Sequence, residues 1–184
     1  METPTEVGGQ SFLESQTKEQ LAPILKKMTG FDRAGEELQG LLPDWKFFQR
    51  TAYEKGTPAD IAFFNIMLDT EDHSMFPSWV TQITDYSGCT NYGPGILTVL
   101  YGRWRKFHDD FPQAYRAEAE NQVRAISNEF IDNNCACNDE QSVIQEFNLF
   151  LRTYPDDAMS RPLQHRLAGI QNRTVQFRFK CLPG

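Results

Sequence analysis

The chain has 184 residues, of which 40% are hydrophobic and 23% charged, and its formal net charge is −7. This length suits a single domain with a sizeable core, and the negative charge argues against nucleic-acid binding, which depends on cationic contacts to phosphate. No apolar run reaches the length of about 18 residues that a membrane helix needs, so we predict no membrane span. An acidic protein of this kind is suited to a basic protein partner.

Helical periodicity dominates the chain, and we predict an all-α fold in one domain. Residues 1–14 carry few apolar groups and are expected to form a flexible arm, while residues 15–184 form the helical domain. Capping residues and prolines mark the helix starts. We expect about seven to nine helices, arranged as a bundle or a superhelical stack. They start near Thr17, Asp32, Trp45, Thr57, Pro77, Ile96, Pro112, Asn138 and Pro162.

Two segments depart from the helical pattern. Residues 87–95 contain three glycines and a proline, so we predict an irregular loop there. Residues 174–179 alternate polar and apolar side chains, which is typical of a strand, but no other strand is predicted for this segment to join. We therefore expect an extended C-terminal tail that lies on the helices and is held by Cys181.

Four cysteines bear on the compartment in which the protein is found. Cys135 and Cys137 are one residue apart. A ring that small strains disulfide geometry, so each is expected to bond to a distant cysteine. The sequence does not choose between the pairings with Cys89 and Cys181. If both bonds form, the chain is the mature form of a periplasmic or secreted protein, without its signal peptide. The alternative is a cytoplasmic protein with four reduced thiols.

Two histidines lie in acidic clusters at predicted helix ends. The segment from Asp69 to His73 holds three carboxylates, and His108 is followed by Asp109 and Asp110. Such groups can bind a divalent metal, and two of them could build a hydrolytic site. Acids and histidines are also common at solvated helix ends, and neither cluster shows the His-Glu-x-x-His spacing that places two ligands on one helical face. We therefore predict no metal, no cofactor and no catalytic residue, and we keep a metal-dependent hydrolase as an alternative.

The glycine-rich loop and the acids that flank it form the predicted partner site. Tyr86 and Tyr92 lie on a backbone bent by glycine and proline, between the two acidic clusters. Exposed tyrosines surrounded by acids suit the recognition of a basic protein surface. The alternative is that these tyrosines complete the core. The predicted partner-binding residues are Asp69, Glu71, Asp72, Asp85, Tyr86, Asn91, Tyr92, Asp109 and Asp110.

An acidic, all-helical chain of this size resembles the helical periplasmic immunity proteins of type VI secretion systems. Those proteins bind and block peptidoglycan-cleaving amidase effectors. The resemblance rests on composition, helix content and the four cysteines, and it implies an inhibitor rather than an enzyme. On this hypothesis a rigid loop, residues 86–95, fills the substrate groove of a secreted cell-wall hydrolase.

A helical carrier is the main alternative function. Segments 45–48, 61–68 and 147–151 are rich in phenylalanine and could surround an apolar pocket for a small molecule or lipid. A homodimer is compatible with either hypothesis.

Overall fold

The computed structural model describes residues 23, 26–34, 40–71, 76–82, 88–93 and 95–182. They form a mostly helical structure, which confirms the predicted all-α class. The described helices are α1 (Trp45–Lys55), α2 (Pro58–Thr70), α3 (Ile96–Asp110), α4 (Arg116–Ile131), α5 (Glu140–Thr153) and α6 (Ser160–Gln171). Strand β1 (Phe31–Ala34) pairs antiparallel with β2 (Gly40–Pro43), and β3 (Val80–Thr81) pairs antiparallel with β4 (Cys89–Thr90). Within this part of the chain, no helix is both long and apolar enough to cross a membrane.

The described residues hold six helices, fewer than predicted, because two segments with helical signals pair as strands instead. The helix predicted to start near Asp32 and to reach Leu42 is wrong in its described parts, because residues 32–34 belong to β1 and residues 40–42 to β2. Gly30 lies in the left-handed region, with φ of 88°, and its carbonyl accepts a hydrogen bond from Asp44 N at 2.8 Å, which extends the hairpin. The helix predicted from Pro77 is also wrong over residues 77–82, which form a turn followed by β3.

Several predicted features lie outside the described residues. These are the N-terminal arm, nearly all of the helix predicted from Thr17, and the part of the helix predicted from Pro77 that covers residues 83–86.

Local capping explains where three of the helices begin. Asp44, Thr57 and Asp139 each accept a hydrogen bond from the backbone amide three residues further on, at 3.0, 3.3 and 2.9 Å respectively. At α2 the cap is reciprocal, since Asp60 accepts a hydrogen bond from Thr57 N at 2.7 Å. These interactions satisfy amides that the first helical turn leaves unpaired. The predicted starts near residues 45, 57 and 138 are thereby explained.

The core lies around α3, which packs on α2, α4 and α5. Helices α2 and α3 run antiparallel. Thr70, the last residue of α2, accepts a hydrogen bond from Trp104 Nε1 in α3 at 3.1 Å. Ala62, in the first half of α2, lies beside Asp110, the last residue of α3. Aromatic side chains fill the interior, and several are completely buried. The largest of these are Trp104, Tyr92, Phe130, Phe147 and Phe150. Burial of so many rings accounts for most of the favourable free energy of folding.

A small disulfide-linked sheet covers one side of this core. Strand β4 pairs with β3 on one side and with residues 135–137 on the other. Residues 135–137 also pair with the tail at Arg178. Ala136 N donates to Arg178 O at 2.9 Å. We call β4, residues 135–137 and residues 178–181 the disulfide platform, because both disulfides join its neighbouring segments.

Cys135 and Cys137 do not bond to each other, as predicted from their spacing. Cys89 bonds to Cys137, with 5.1 Å between their Cα atoms, and Cys135 bonds to Cys181, with 6.0 Å between theirs. Cys135 and Cys137 therefore have different, distant partners, as predicted. The extended tail held by Cys181 is likewise confirmed, and its Phe177 ring packs on Tyr92 with 6.1 Å between ring centroids.

Candidate functional site

The outer face of α3 carries a cleft of about 600 Å³, which we call the α3 cleft. Helix α3 buries one face in the core and turns the other to solvent, so its exposed side chains stand on a rigid support. Val99 is 55% exposed at one side of the cleft. The lining residues are Val99, Tyr101, Gly102, Arg103, Arg105, Lys106, Asp109, Asp110, Tyr154 and Asp157.

The floor of the α3 cleft is a hydrogen-bonded group of polar side chains. Asp157 accepts hydrogen bonds from Tyr101 Oη and from Arg105 Nη1, each at 2.9 Å. Burial raises the pKa of Tyr101 to about 12, and the hydrogen bond to Asp157 adds to the effect. Tyr101 therefore stays neutral at physiological pH and serves as a fixed donor.

Gly102 allows Tyr154 to close one side of this cleft. A Cβ atom on residue 102 would lie 1.9 Å from Tyr154 Oη and 3.0 Å from Cζ. The Tyr154 ring cannot easily retreat, because it packs against Phe150 at 5.1 Å and Tyr101 at 5.6 Å between centroids. Glycine is thus required at this point of the helix by close packing rather than by backbone conformation.

Gly102→Ala is expected to lower the free energy of unfolding by about 1–2 kcal/mol, because overpacking outweighs the gain in helix propensity. Urea unfolding of the single variant would measure this loss. Adding Tyr154→Phe removes the clashing oxygen and should recover part of it. A Gly102→Ala variant that is more stable than the parent protein would contradict this explanation.

Glu146 of α5 holds the N-terminus of α3 in place. Its side chain is buried, with 1% exposure of the residue. Oε2 accepts hydrogen bonds from Gly93 N at 2.8 Å and Gly95 N at 2.6 Å, and Oε1 accepts from Thr98 N at 3.0 Å and Thr98 Oγ1 at 2.7 Å. Because Gly95 at the N-cap has no side chain, Glu146 supplies the missing acceptor and an anion at the positive end of the helix. This role of Glu146 was not predicted from the sequence.

Three of the predicted partner-binding acids border the α3 cleft. Asp109 and Asp110 line it, and Asp69 forms an ion pair with Arg103, which also lines it. Asp110 is paired with Lys106 at 2.8 Å. Arg103 and Asp110 are separated by two turns of α3, about 10 Å. Asp69 and the pair Asp109 and Asp110 therefore lie along one exposed surface and do not converge on one point.

Other predicted site residues point inward. Tyr92 is completely buried, and its hydroxyl donates to Glu129 O at 2.6 Å, so the interpretation of Tyr92 as an exposed anchor is wrong. Burial also raises the pKa of its hydroxyl. Glu71 accepts a hydrogen bond from Trp45 Nε1 at 3.1 Å, and burial raises the pKa of its carboxyl. Asn91 Nδ2 donates to Thr81 Oγ1 at 2.7 Å.

The remaining predicted partner-binding residues, Asp72, Asp85 and Tyr86, lie outside the described residues, as does His73. His108 lies 3.6 Å from the carboxylates of both Asp109 and Glu120. Among the residues that the structure describes, no group of three or more histidine, cysteine or acidic side chains is arranged to hold a metal ion.

No family model, curated protein or solved structure matches this chain. The interpretation of the α3 cleft therefore rests on its own geometry.

Proposed function

We propose that the protein is an extracytoplasmic binding protein that inhibits another protein through the α3 cleft. The observation that carries this proposal is the exposed Val99, which lines one side of the cleft next to its charged side chains. Exposed apolar surface bordered by polar groups is a common composition of a protein–protein interface. A cleft of about 600 Å³ beside that surface is large enough to accept a side chain of a partner.

The proposed partner is a basic, secreted cell-wall hydrolase of the amidase class, as the resemblance to type VI immunity proteins implies. The net charge of −7 would favour the encounter with such an enzyme, and Asp109 and Asp110 would direct it towards the cleft. Val99 would then hold the complex through apolar contact. Inhibition would follow from occlusion of the enzyme's substrate groove.

This proposal moves the contact surface from loop 86–95 to α3. The described loop residues 88–93 are held within the fold by the disulfide platform and by Glu146, and their largest side chain, Tyr92, is buried. They are therefore poorly placed to enter a partner's groove. The two disulfides that join distant segments support an oxidising compartment for the protein.

The main alternative, an apolar carrier, has less support. Phe48 stacks on Phe64 at 5.6 Å between centroids, and Phe147 and Phe150 pack on Phe130 at 5.6 and 4.9 Å. The phenylalanines of the three predicted pocket segments thus pack against neighbouring rings.

Val99→Glu is expected to weaken partner binding by about tenfold or more, because it replaces the exposed apolar side chain of the proposed interface with a charge. The protein would be immobilised and exposed to the secreted and periplasmic fraction of its source cells. Captured proteins would be identified by mass spectrometry, and each captured hydrolase would be assayed for peptidoglycan cleavage with and without the protein.

Ala125→Glu is the matched control, because Ala125 is exposed on α4 and does not line the α3 cleft. It should bind and inhibit like the parent protein. Capture of a hydrolase that remains fully active in the complex would overturn the proposed inhibition. Equal binding by the two glutamate variants would show that the α3 cleft is not the interface.

A further inference from the structure

The two disulfides differ in their access to solvent. Cys89 is 2% exposed, so the bond between Cys89 and Cys137 is shielded on the Cys89 side. Both halves of the other disulfide, Cys135 and Cys181, line an open groove of about 540 Å³ on the disulfide platform. The other lining residues of this groove are Gly88, Arg178, Phe179, Lys180 and Leu182.

Cationic side chains flank the accessible disulfide. Arg178 pairs with Cys135 through a backbone β-bridge, and Lys180 directly precedes Cys181 in the sequence. Both side chains are exposed and both line the groove. Nearby cations stabilise a thiolate, so they favour the departure of a cysteine sulfur from a disulfide. They also raise the local concentration of an anionic thiol.

The backbone around Cys181 is held in an unfavourable conformation. Lys180 is left-handed, with φ of 54°, which is uncommon for a residue with a side chain. Two hydrogen bonds hold it there: Lys180 N donates to Asn138 O at 2.9 Å, and Cys181 N donates to Ala136 O at 2.8 Å.

We propose that the bond between Cys135 and Cys181 is a site of thiol–disulfide exchange with an anionic low-molecular-weight thiol. The incoming thiolate attacks Cys181 Sγ and forms a mixed disulfide there. The bond between Cys181 and Cys135 breaks, and Cys135 Sγ leaves as a thiolate beside Arg178. One disulfide is consumed and one is formed, so the exchange needs no further oxidant or reductant.

The exchange would open only the end of the tail. Phe177 remains packed on Tyr92, and the guanidinium of Arg166 lies over the Phe177 ring at 5.5 Å from its centroid. The bond between Cys89 and Cys137, which is shielded on the Cys89 side, still joins β4 to the 135–137 segment. The modification therefore changes the platform surface while the helical core stays folded.

The direct test treats the oxidised, folded protein with increasing concentrations of reduced glutathione. The reaction is stopped with acid, free thiols are alkylated, and peptides are mapped by mass spectrometry. We expect a glutathione adduct on Cys181 and a free thiol on Cys135 at about one tenth of the glutathione concentration that opens the other disulfide. Opening of the bond between Cys89 and Cys137 first or at the same concentration would overturn the proposal, and so would an adduct located on Cys135.

A double variant tests the role of the flanking cations. Arg178→Gln with Lys180→Gln should slow exchange with glutathione by about threefold or more, and should slow exchange with neutral 2-mercaptoethanol less. Arg152→Gln is the control, because Arg152 is exposed on α5 and does not line the groove. If the double variant and the control react with glutathione at the same rate, the groove does not act as proposed.

Discussion

Glu146→Ala is expected to lower the free energy of unfolding by about 4 kcal/mol, since it leaves several buried donors without an acceptor. The Glu146 carboxylate accepts three backbone N–H bonds and one hydroxyl bond from residues 93–98. Its loss also removes the anion at the N-terminus of α3. A loss of this size is a large part of the stability of an ordinary domain. Urea unfolding, followed by far-ultraviolet circular dichroism, would measure it.

Two further variants separate this explanation from a general effect of removing glutamate. Glu54→Ala, at an exposed position of α1, should change stability by no more than about 0.5 kcal/mol. Glu146→Gln keeps the size of the side chain but offers one oxygen in place of two, so it should lie between the parent protein and Glu146→Ala. A Glu146→Ala variant within about 1 kcal/mol of the parent would show that the 93–98 segment does not depend on this carboxylate.

Cys89→Ala with Cys137→Ala is expected to destabilise the protein by about 4 kcal/mol, because the disulfide closes a long loop and restricts the unfolded chain. The two cysteines are 48 positions apart in the sequence. The bond also holds β4 against residues 135–137, where Thr90 N donates to Cys135 O at 3.1 Å and Cys137 N donates to Thr90 O at 3.0 Å. Alanine is used because it leaves no polar group at the buried Cys89 position. Denaturant unfolding under non-reducing conditions would measure the effect.

The second disulfide provides the comparison. Cys135 and Cys181 are 46 positions apart, so the loss of chain restriction is nearly the same for both bonds. The tail around Cys181 is more exposed, so Cys135→Ala with Cys181→Ala should act mainly there and cost less global stability. Hydrogen exchange should accelerate in residues 178–182 while the helices stay protected. Equal global losses for the two double variants would contradict this distinction.

The amino-acid sequence by itself determined the helical class and several helix boundaries. The helix starts at Thr57 and near Asn138 could be predicted because the capping hydrogen bonds there close within three residues. A bond between Cys135 and Cys137 would close a ring too small for favourable disulfide geometry. A distant partner could therefore be predicted for each of these two cysteines. These features depend only on residues that are close together along the chain.

Only the tertiary structure decided the rest. Glu146 contacts donors 48 to 53 positions away, and nothing in its own helix distinguishes it from a solvated glutamate. Tyr92 has an amphipathic ring that suits either an interface or a core, and the packing of Phe147 and Phe177 around it selected the core. The sequence pattern of residues 32–42 predicts a helix, but β1 and β2 pair as strands there. In each case the deciding contacts join residues far apart in sequence, and their energies exceed the small local preferences of the chain.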